Sequence, residues 1–359
     1  MSAKTVLITG LNGFLAPHVA ITFLENGWHV RGTVRTEAKK TKVISLPGLK
    51  RYVDEGKIEV AIVQDLADAN WAPVLEGIDA VAHVASPLDF SLTSYQAYAK
   101  PAVEGTVNLL KAAASVSSIK AVITISSIVA VYDSLKPPSA HNGKVYTEDD
   151  WLPYTEKDAE NVEKDNVFPK EYYPMFWYNI SKKFAELAAQ EFYDEVKPHW
   201  SFATLCTPAI FGPAQHVNSP KDFNQHPGGD LATSHLFGLL ASGEDSPILP
   251  THIYQAVDVR DAALSAYLAV TKNANGRFLI SGGDETNQQI VRIARKARPD
   301  LAKFIPKPDP ADDGLLPADF YKVDASKSQK VLGIKYRTLE ETVTDTVKRF
   351  EELGVYQDK

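Results

Sequence analysis

The sequence of 359 residues has a single cysteine, Cys206. An intramolecular disulfide is excluded, and with it every disulfide-stapled scaffold. An excess of positive charge is also missing: the formal net charge is −7, so no broadly basic surface is available for nucleic acid. Long apolar runs are absent too. Near the N-terminus, Val6-Leu7-Ile8 is followed at once by Thr9 and Gly10, whereas a secretory signal needs an apolar stretch of roughly 7–15 residues. No run approaches the roughly 20 apolar residues of a membrane span. None of the nine histidines stands to another at the HxxxH or HExxH spacing of a zinc-binding helix. With 44% hydrophobic and 23% charged residues, the chain is too apolar to be disordered and can fill one large core or two unequal ones. The expectation is a cytoplasmic protein, monomer or homodimer, with no metal, no nucleic-acid partner and no membrane association.

The first 205 residues alternate in hydrophobic period. Apolar or β-branched runs at Thr5–Thr9, His29–Val34, Ile58–Val63, Ala80–Val84, Ala121–Ile125 and Ser201–Leu205 read as strands. Helical stretches lie between them, notably Phe14–Glu25, closed by Asn26-Gly27, then Tyr98–Ala114 and Tyr178–Val196. This alternation predicts an α/β fold, a Rossmann-type doubly wound parallel sheet. Beyond residue 205 the alternation weakens. A helix is expected over Asp258–Val270, a short strand over Phe278–Ile280, and helices over Asp284–Arg298 and Leu339–Leu353. The expected organisation is a nucleotide-binding domain of 1–205, to which 251–282 returns. A smaller, mostly helical substrate region follows, made of 206–250 and 283–359. Two segments, Lys136–Met175 and Thr207–Asp230, read as long loops, and loops of that length in a compact domain are usually functional.

Gly10-Leu-Asn-Gly13-Phe-Leu-Ala16 follows the first strand and opens the first helix. A phosphate-binding turn needs small residues at these three places: for the tight turn, for backbone approach to a pyrophosphate, and for helix–strand packing. The helix N-terminus then presents free N–H groups and a partial positive charge to the phosphates. The second strand ends in Arg35, with Lys39 one helical turn on. Two cations there suit a 2′-phosphate, so NADP(H) is expected rather than NAD(H). Glu37 stands between them as the residue that would instead favour a free ribose.

Tyr-x-x-x-Lys places a phenol and an ammonium on one helix face. It occurs at Tyr132/Lys136, Tyr178/Lys182 and Tyr193/Lys197. Two prolines follow Lys136, which argues against a helix there. Tyr193 lies roughly 22 Å further along the same helix as Tyr178 at 1.5 Å per residue. Ligands of open α/β sheets sit at the carboxyl ends of the strands. Tyr178 is near that end and Tyr193 near the opposite one. Ser126 and Ser127 close the strand Ala121–Ile125 and emerge at the same edge.

With these residues in view, the sequence resembles the extended branch of the short-chain dehydrogenase/reductase superfamily over nearly its whole length. The likeness is carried by Thr9-Gly10-Leu-Asn-Gly13-Phe, His83-Val-Ala-Ser-Pro87, Ile125-Ser-Ser127, Tyr178-Asn-Ile-Ser-Lys-Lys-Phe-Ala-Glu186, Phe211-Gly-Pro213 and Val257-Asp-Val-Arg-Asp261. Within that branch it is most similar to the dihydroflavonol-reductase and cinnamoyl-CoA-reductase group, and there to fungal NADPH-dependent aldehyde, ketone and methylglyoxal reductases. The run Val145-Tyr-Thr-Glu-Asp-Asp-Trp151 fits the same group. The resemblance implies a carbonyl reductase with Tyr178 as general acid. It implies Lys182 on the nicotinamide ribose, lowering the tyrosine pKa, and a strand-end serine, Ser127 or Ser126, on the carbonyl oxygen. It implies cofactor contacts from Gly10, Asn12, Gly13, Phe14, Leu15, Arg35, Lys39, Asp65, Leu66, Ala85, Ser86, Pro208, Ala209 and Ser234.

Two other readings compete. A sugar-nucleotide dehydratase of the same superfamily would carry an Asp-Glu pair after the strand-end hydroxyl, where Ile128 and Val129 stand, and the epimerases favour bound NAD. A non-catalytic NADP-binding regulator would typically lose the tyrosine. The aromatic and apolar residues Phe90, Tyr132, Trp151, Phe176, Trp177, Ile210 and Phe211 are expected around the substrate, Phe90, Tyr132, Trp177, Ile210 and Phe211 foremost. As a set they point to a small apolar or aromatic carbonyl compound. His83 reads as a satisfied core histidine and Cys206 as a small buried hydrophobe.

Overall fold

The computed structural model describes residues 3–86, 89–166, 168–224 and 231–357. The strands are β1 (Thr5–Ile8), β2 (His29–Val34), β3 (Ile58–Ile62), β4 (Ala80–His83), β5 (Ala121–Ser127), β6 (Val145–Tyr146), β7 (Ser201–Thr207), β8 (Ala209–Phe211), β9 (Gln255–Asp258), β10 (Gly276–Leu279), β11 (Gly283–Asp284) and β12 (Lys322–Val323). The helices are α1 (Leu15–Glu25), α2 (Glu37–Ile44), α3 (Pro47–Asp54), α4 (Ala72–Leu75), α5 (Tyr95–Ala99), α6 (Gly105–Ala114), α7 (Glu156–Asp165), α8 (Tyr173–Val196), α9 (Leu231–Leu240), α10 (Val259–Thr271), α11 (Asn287–Ala297), α12 (Ser326–Leu332) and α13 (Leu339–Glu352).

Seven strands form one sheet in the order β10-β7-β5-β4-β1-β2-β3, with every pairing parallel. Successive side chains of a strand point to opposite faces, and the two cores follow that rule. Val6 and Ile8 of β1 join the core built with α1 and α10. Leu7 between them joins the core built with α4, α6 and α8. The doubly wound fold expected from the alternating pattern is therefore present. On the α1–α10 side the buried residues are small: Ala16 and Ala20 of α1, and Ala262, Ala263, Ala266 and Ala269 of α10. Small side chains let helices and sheet approach closely, which is the packing role expected of Ala16.

β2 and β3 extend the sheet on one side of β1, while β4 returns on the other. The crevice at the carboxyl ends of β1 and β4 is thus the topological switch point, where open α/β sheets bind ligands. A second sheet, β11-β9-β8, carries a third core with α9, α11 and α13. β9 is its middle strand, whereas α10 and β10 pack on and extend the large sheet. No helix among the described residues is long and apolar enough to cross a membrane.

Three expected elements differ, the first being Thr207–Asp230, which is not a loop throughout because it carries β8. Tyr98–Ala114 is not one helix, because a π-helical stretch, Lys100–Glu104, joins α5 to α6. Pro101 within it has no N–H to give to the ordinary ladder. The segment Lys136–Met175 is not a loop throughout. It contains β6, which pairs with β12, and α7, opened by a capping box in which the Thr155 and Asp158 side chains each accept the other's backbone N–H.

Candidate active site

A cavity of about 760 Å³ runs from the switch point to the second sheet. Its first wall is the glycine turn. Gly10 has φ +73°, and a Cβ there would lie 3.1 Å from Ala85 Cα. Only glycine meets both demands. The turn is held by Gly13 N donating to Gly10 O at 3.0 Å and Leu11 N to Thr33 O at 2.9 Å. α1 starts immediately beyond it with no acid in its first turn, so its partial positive charge is left for an anion. Thr9 ties β1 to β4: its Oγ accepts from Val84 N and Ala85 N, each at 3.0 Å. Thr9 also bonds His83 Nδ1 at 2.9 Å, and Thr106 bonds the other ring nitrogen. Burial holds His83 at a pKa of about 3, a neutral core histidine as expected.

Arg35 and Lys39 line the same cavity. Burial and the neighbouring guanidinium hold the Lys39 ammonium below its ordinary value. Hydrogen bonds from Ser91 hold the Asp89 carboxyl low, with a lesser contribution from Arg35, and neither Arg35 nor Lys39 makes a side-chain hydrogen bond or ion pair with the described residues. Glu37 is exposed, opens α2 and stays off the cavity wall. A Cβ-free turn beside a helix N-terminus, with two uncompensated cations further along, fits a dinucleotide carrying an additional phosphate.

At the other end, β5 delivers its two serines in opposite directions. The buried Ser126 hydroxyl donates to Glu186 Oε2 at 2.7 Å. Ser127 reaches the cavity beside Tyr178, and its Oγ accepts from Val129 N at 3.4 Å. Burial raises Tyr178 to a pKa of about 12, and the neighbouring Ser127 hydroxyl opposes that rise. Lys182 donates to Ile125 O at 2.8 Å and Ser86 Oγ at 3.3 Å. Burial lowers its pKa to about 8, against the pull of the Glu186 carboxylate. The ammonium is engaged by a carbonyl and a serine and is itself depressed, so Ser127 is the group that counters burial.

Glu186 anchors the wall behind Lys182. Its Oε1 accepts from Arg277 Nε at 2.6 Å, and the Cys206 thiol lies 3.5 Å from Oε2. Cys206 is buried as expected, but it is a polar neighbour of a carboxylate and not merely an apolar filler. Arg277 also stacks over Trp151, 3.7 Å from the ring centre.

Most of the expected site residues share this cavity: Gly10, Asn12, Gly13, Phe14, Leu15, Leu66, Ala85, Ser86, Pro208 and Ala209, with Phe90, Ile210 and Phe211 towards the second sheet. Phe90 stands edge-on to Tyr178 at 6.4 Å. Six do not line it: Trp151 lies under Arg277, Phe176 packs on Tyr154 and Phe168, and four others point elsewhere. Asp65 is exposed and accepts from Ala67 N in a local turn. Ser234 donates to Phe223 O, and its neighbour His235 faces the cavity instead. Trp177, one residue from Tyr178 and hence on another face of α8, donates to Ala159 O of α7 at 2.9 Å. Tyr132 is buried against Tyr146 and Tyr321 and donates to Gln255 Oε1 at 2.9 Å. Sequence reasoning missed Val129, Met175, His235, His252, Glu285 and Asn287, all on the wall. Among the described residues no three His, Cys, Asp or Glu side chains are grouped to hold a metal.

The sequence profile of the NAD dependent epimerase/dehydratase family matches residues 6–280. A Schizosaccharomyces pombe protein described as a putative uncharacterized oxidoreductase is 37% identical over 98% of both chains. The ketoreductase AzaE of Aspergillus niger is 32% identical over 96% of this chain and 97% of its own. The structure of yeast methylglyoxal/isovaleraldehyde reductase Gre2, complexed with NADPH, is similar with a TM-score of 0.83 and 25% identity, over 98% of this chain and all of that one.

Proposed function

We propose, from the premise that the chain belongs to the NAD dependent epimerase/dehydratase family, that it is an NADPH-dependent carbonyl reductase converting a ketone or aldehyde to an alcohol. The observation that carries this reading is the meeting in one cavity of Ser127, Tyr178 and Lys182 with the cations Arg35 and Lys39, which no described side chain pairs. The names of AzaE and Gre2 support it. Residues 1–205 with 251–282 are taken as the cofactor-binding part, and 206–250 with 283–359 as the substrate region.

In this reading the glycine turn, Asn12, Phe14 and Leu15 hold the pyrophosphate end, and Leu66, Ala85, Ser86, Lys182, Pro208 and Ala209 line the path to the nicotinamide. The cofactor, when bound, supplies a hydride to the carbonyl carbon. Ser127 and Tyr178 hold the carbonyl oxygen, where negative charge grows. Donors fixed there before reaction stabilise the transition state without reorganising. Tyr178 is protonated across the neutral range because its pKa is about 12, so it is in the form that can give the alcohol its proton. Lys182, held by Ile125 O and Ser86 Oγ, presents its remaining donor capacity beside Tyr178. Ile128 and Val129 are buried and apolar at the place where a dehydratase would carry its acid pair, which favours reduction over sugar-nucleotide chemistry.

The test is NADPH oxidation followed at the nicotinamide absorbance with a panel of ketones and aldehydes. A chain that binds NADPH but oxidises it with none of them is not a reductase of this class. For the cofactor, Arg35→Asp combined with Lys39→Ala is expected to raise KM for NADPH by about 10²-fold, the loss of two charge-assisted contacts. KM for NADH should change little. Equal losses with both cofactors would remove Arg35 and Lys39 from the 2′-phosphate site.

A further inference from the structure

Glu285 follows β11 and is only 2% exposed, yet it lines the cavity. Its backbone N–H donates to Tyr254 O at 2.8 Å, so the residue is fixed in place. Its side chain is not satisfied: Oε2 has no hydrogen-bond partner. The polar residues nearby are otherwise engaged. His235 bonds Asn287 Oδ1 at 2.9 Å, and Asn287 Nδ2 donates to Leu249 O at 2.9 Å. Around them the wall is apolar, with Ile210, Phe211 and Ile253. A buried polar group without a partner costs stability, and no structural task of this carboxyl offsets that cost.

We propose that Glu285 is a specificity-determining residue whose carboxyl binds a hydroxyl group carried by the carbonyl substrate. This rests on the reductase reading and narrows its substrate class to hydroxyl-bearing ketones and aldehydes with an otherwise apolar body. Burial alone pushes the Glu285 pKa up to about 8, with no charged partner involved, so at neutral pH the carboxyl is mostly neutral, one donor and one acceptor. A hydroxyl has the same two capacities and matches it. A plain alkyl or aryl ketone leaves the carboxyl unpaired, the situation in which binding sites discriminate most strongly. His235, His252 and Tyr254 are the titratable neighbours, and none forms an ion pair with Glu285.

The experiment compares acetophenone with its meta- and para-hydroxyl derivatives, using NADPH, in the wild type and in Glu285→Leu, Glu285→Met and Glu285→Gln. Each result is the ratio of kcat/KM for a hydroxyl isomer to that for acetophenone. Comparing the ratio between variants cancels the intrinsic reactivity of the ketones. Replacing the carboxyl by an apolar side chain should lower the ratio about tenfold for at least one isomer, as loss of a buried hydrogen bond does. Glu285→Gln, which can still donate and accept, should keep most of it. The thermal midpoints of the two apolar variants should equal or exceed that of the wild type, since an unpaired buried carboxyl is removed. An unchanged ratio in both apolar variants overturns the proposal. So does a fall in the thermal midpoint of both, which would make the carboxyl structural. Calorimetric titration with the same ketones in the presence of NADP⁺ separates the two readings. If the wild type reduces none of the ketones but binds a hydroxyl isomer more tightly than Glu285→Leu does, the reductase reading fails and Glu285 stands. Equal binding by the two sinks both.

Discussion

Tyr178→Phe is expected to lower kcat for ketone reduction by about 10²–10⁴-fold, the range for losing a positioned general acid. NADPH affinity should stay near that of the wild type, because the phenol touches neither the glycine turn nor the Arg35–Lys39 pair. The substitution removes one oxygen and keeps the ring, so Phe90 retains its edge-on neighbour and the cavity keeps its shape. The wild-type rate should also be insensitive to pH through the acidic and neutral range. Tyr178, with a pKa of about 12, stays protonated there, and Lys182, with a pKa of about 8, stays charged. Above about pH 8, loss of the Lys182 proton is expected to bring the rate down before the phenol ionises. Tyr193→Phe is the internal control. Its hydroxyl donates to Asn275 Oδ1 at 3.0 Å, just before β10 at the amino end of the parallel strands, and so at the edge of the sheet away from the cavity. Its loss should be a stability effect of about 1 kcal/mol. Steady-state kinetics with NADPH binding by fluorescence decide the matter: a control that loses activity while Tyr178→Phe keeps it overturns the assignment.

The choice between those two tyrosines needed only topology, which explains why it was legible in sequence. The large sheet has strands of four to seven residues, long enough for their apolar pattern to show, and its order follows from right-handed crossovers. The small sheet was not legible. Its strands β8 and β11 have three and two residues, too short for a period of two to register, and β9, Gln255-Ala-Val-Asp258, is polar at both ends and offers no apolar run. Helix α7 carried a readable start, Thr155 with Asp158 three residues on, but its surroundings of Pro, Tyr and Trp read as loop. Trp177 and Tyr132 were placed by composition alone. Which way a ring faces depends on what packs opposite, and α7 and Tyr321 claimed them. Glu285 left no local mark at all, because nothing short of the assembled second sheet buries it beside Phe211. The two serines of β5 were visible as a pair, but their roles were not, since the partner that separates them, Glu186, lies far along the chain on α8.

That separation gives the second large effect. Neighbouring residues of a strand face opposite ways. Ser126 is turned to Glu186 Oε2 at 2.7 Å in the wall behind the site, leaving Ser127 to meet Tyr178 in the cavity. Ser127→Ala is therefore expected to cost about 10²–10³-fold in kcat, the loss of one preorganised donor at the developing oxyanion. It should also let the Tyr178 pKa rise further, since Ser127 is the group that opposes burial, and the phenol becomes a still weaker proton donor. Both consequences fall on the chemical step, so KM for NADPH should be nearly unchanged. Ser126→Ala acts differently. Removing its hydroxyl leaves Glu186 held by Arg277 Nε at 2.6 Å, so the carboxylate keeps its main partner and continues to bias Lys182 towards the charged form. The cost should appear in unfolding, at about 1 kcal/mol, with kcat within a few-fold of wild type. Kinetics and thermal unfolding of the two single mutants test this together. A larger drop in kcat for Ser126→Ala exchanges the roles of the two serines. Less than a tenfold drop for Ser127→Ala leaves the carbonyl oxygen to Tyr178 alone.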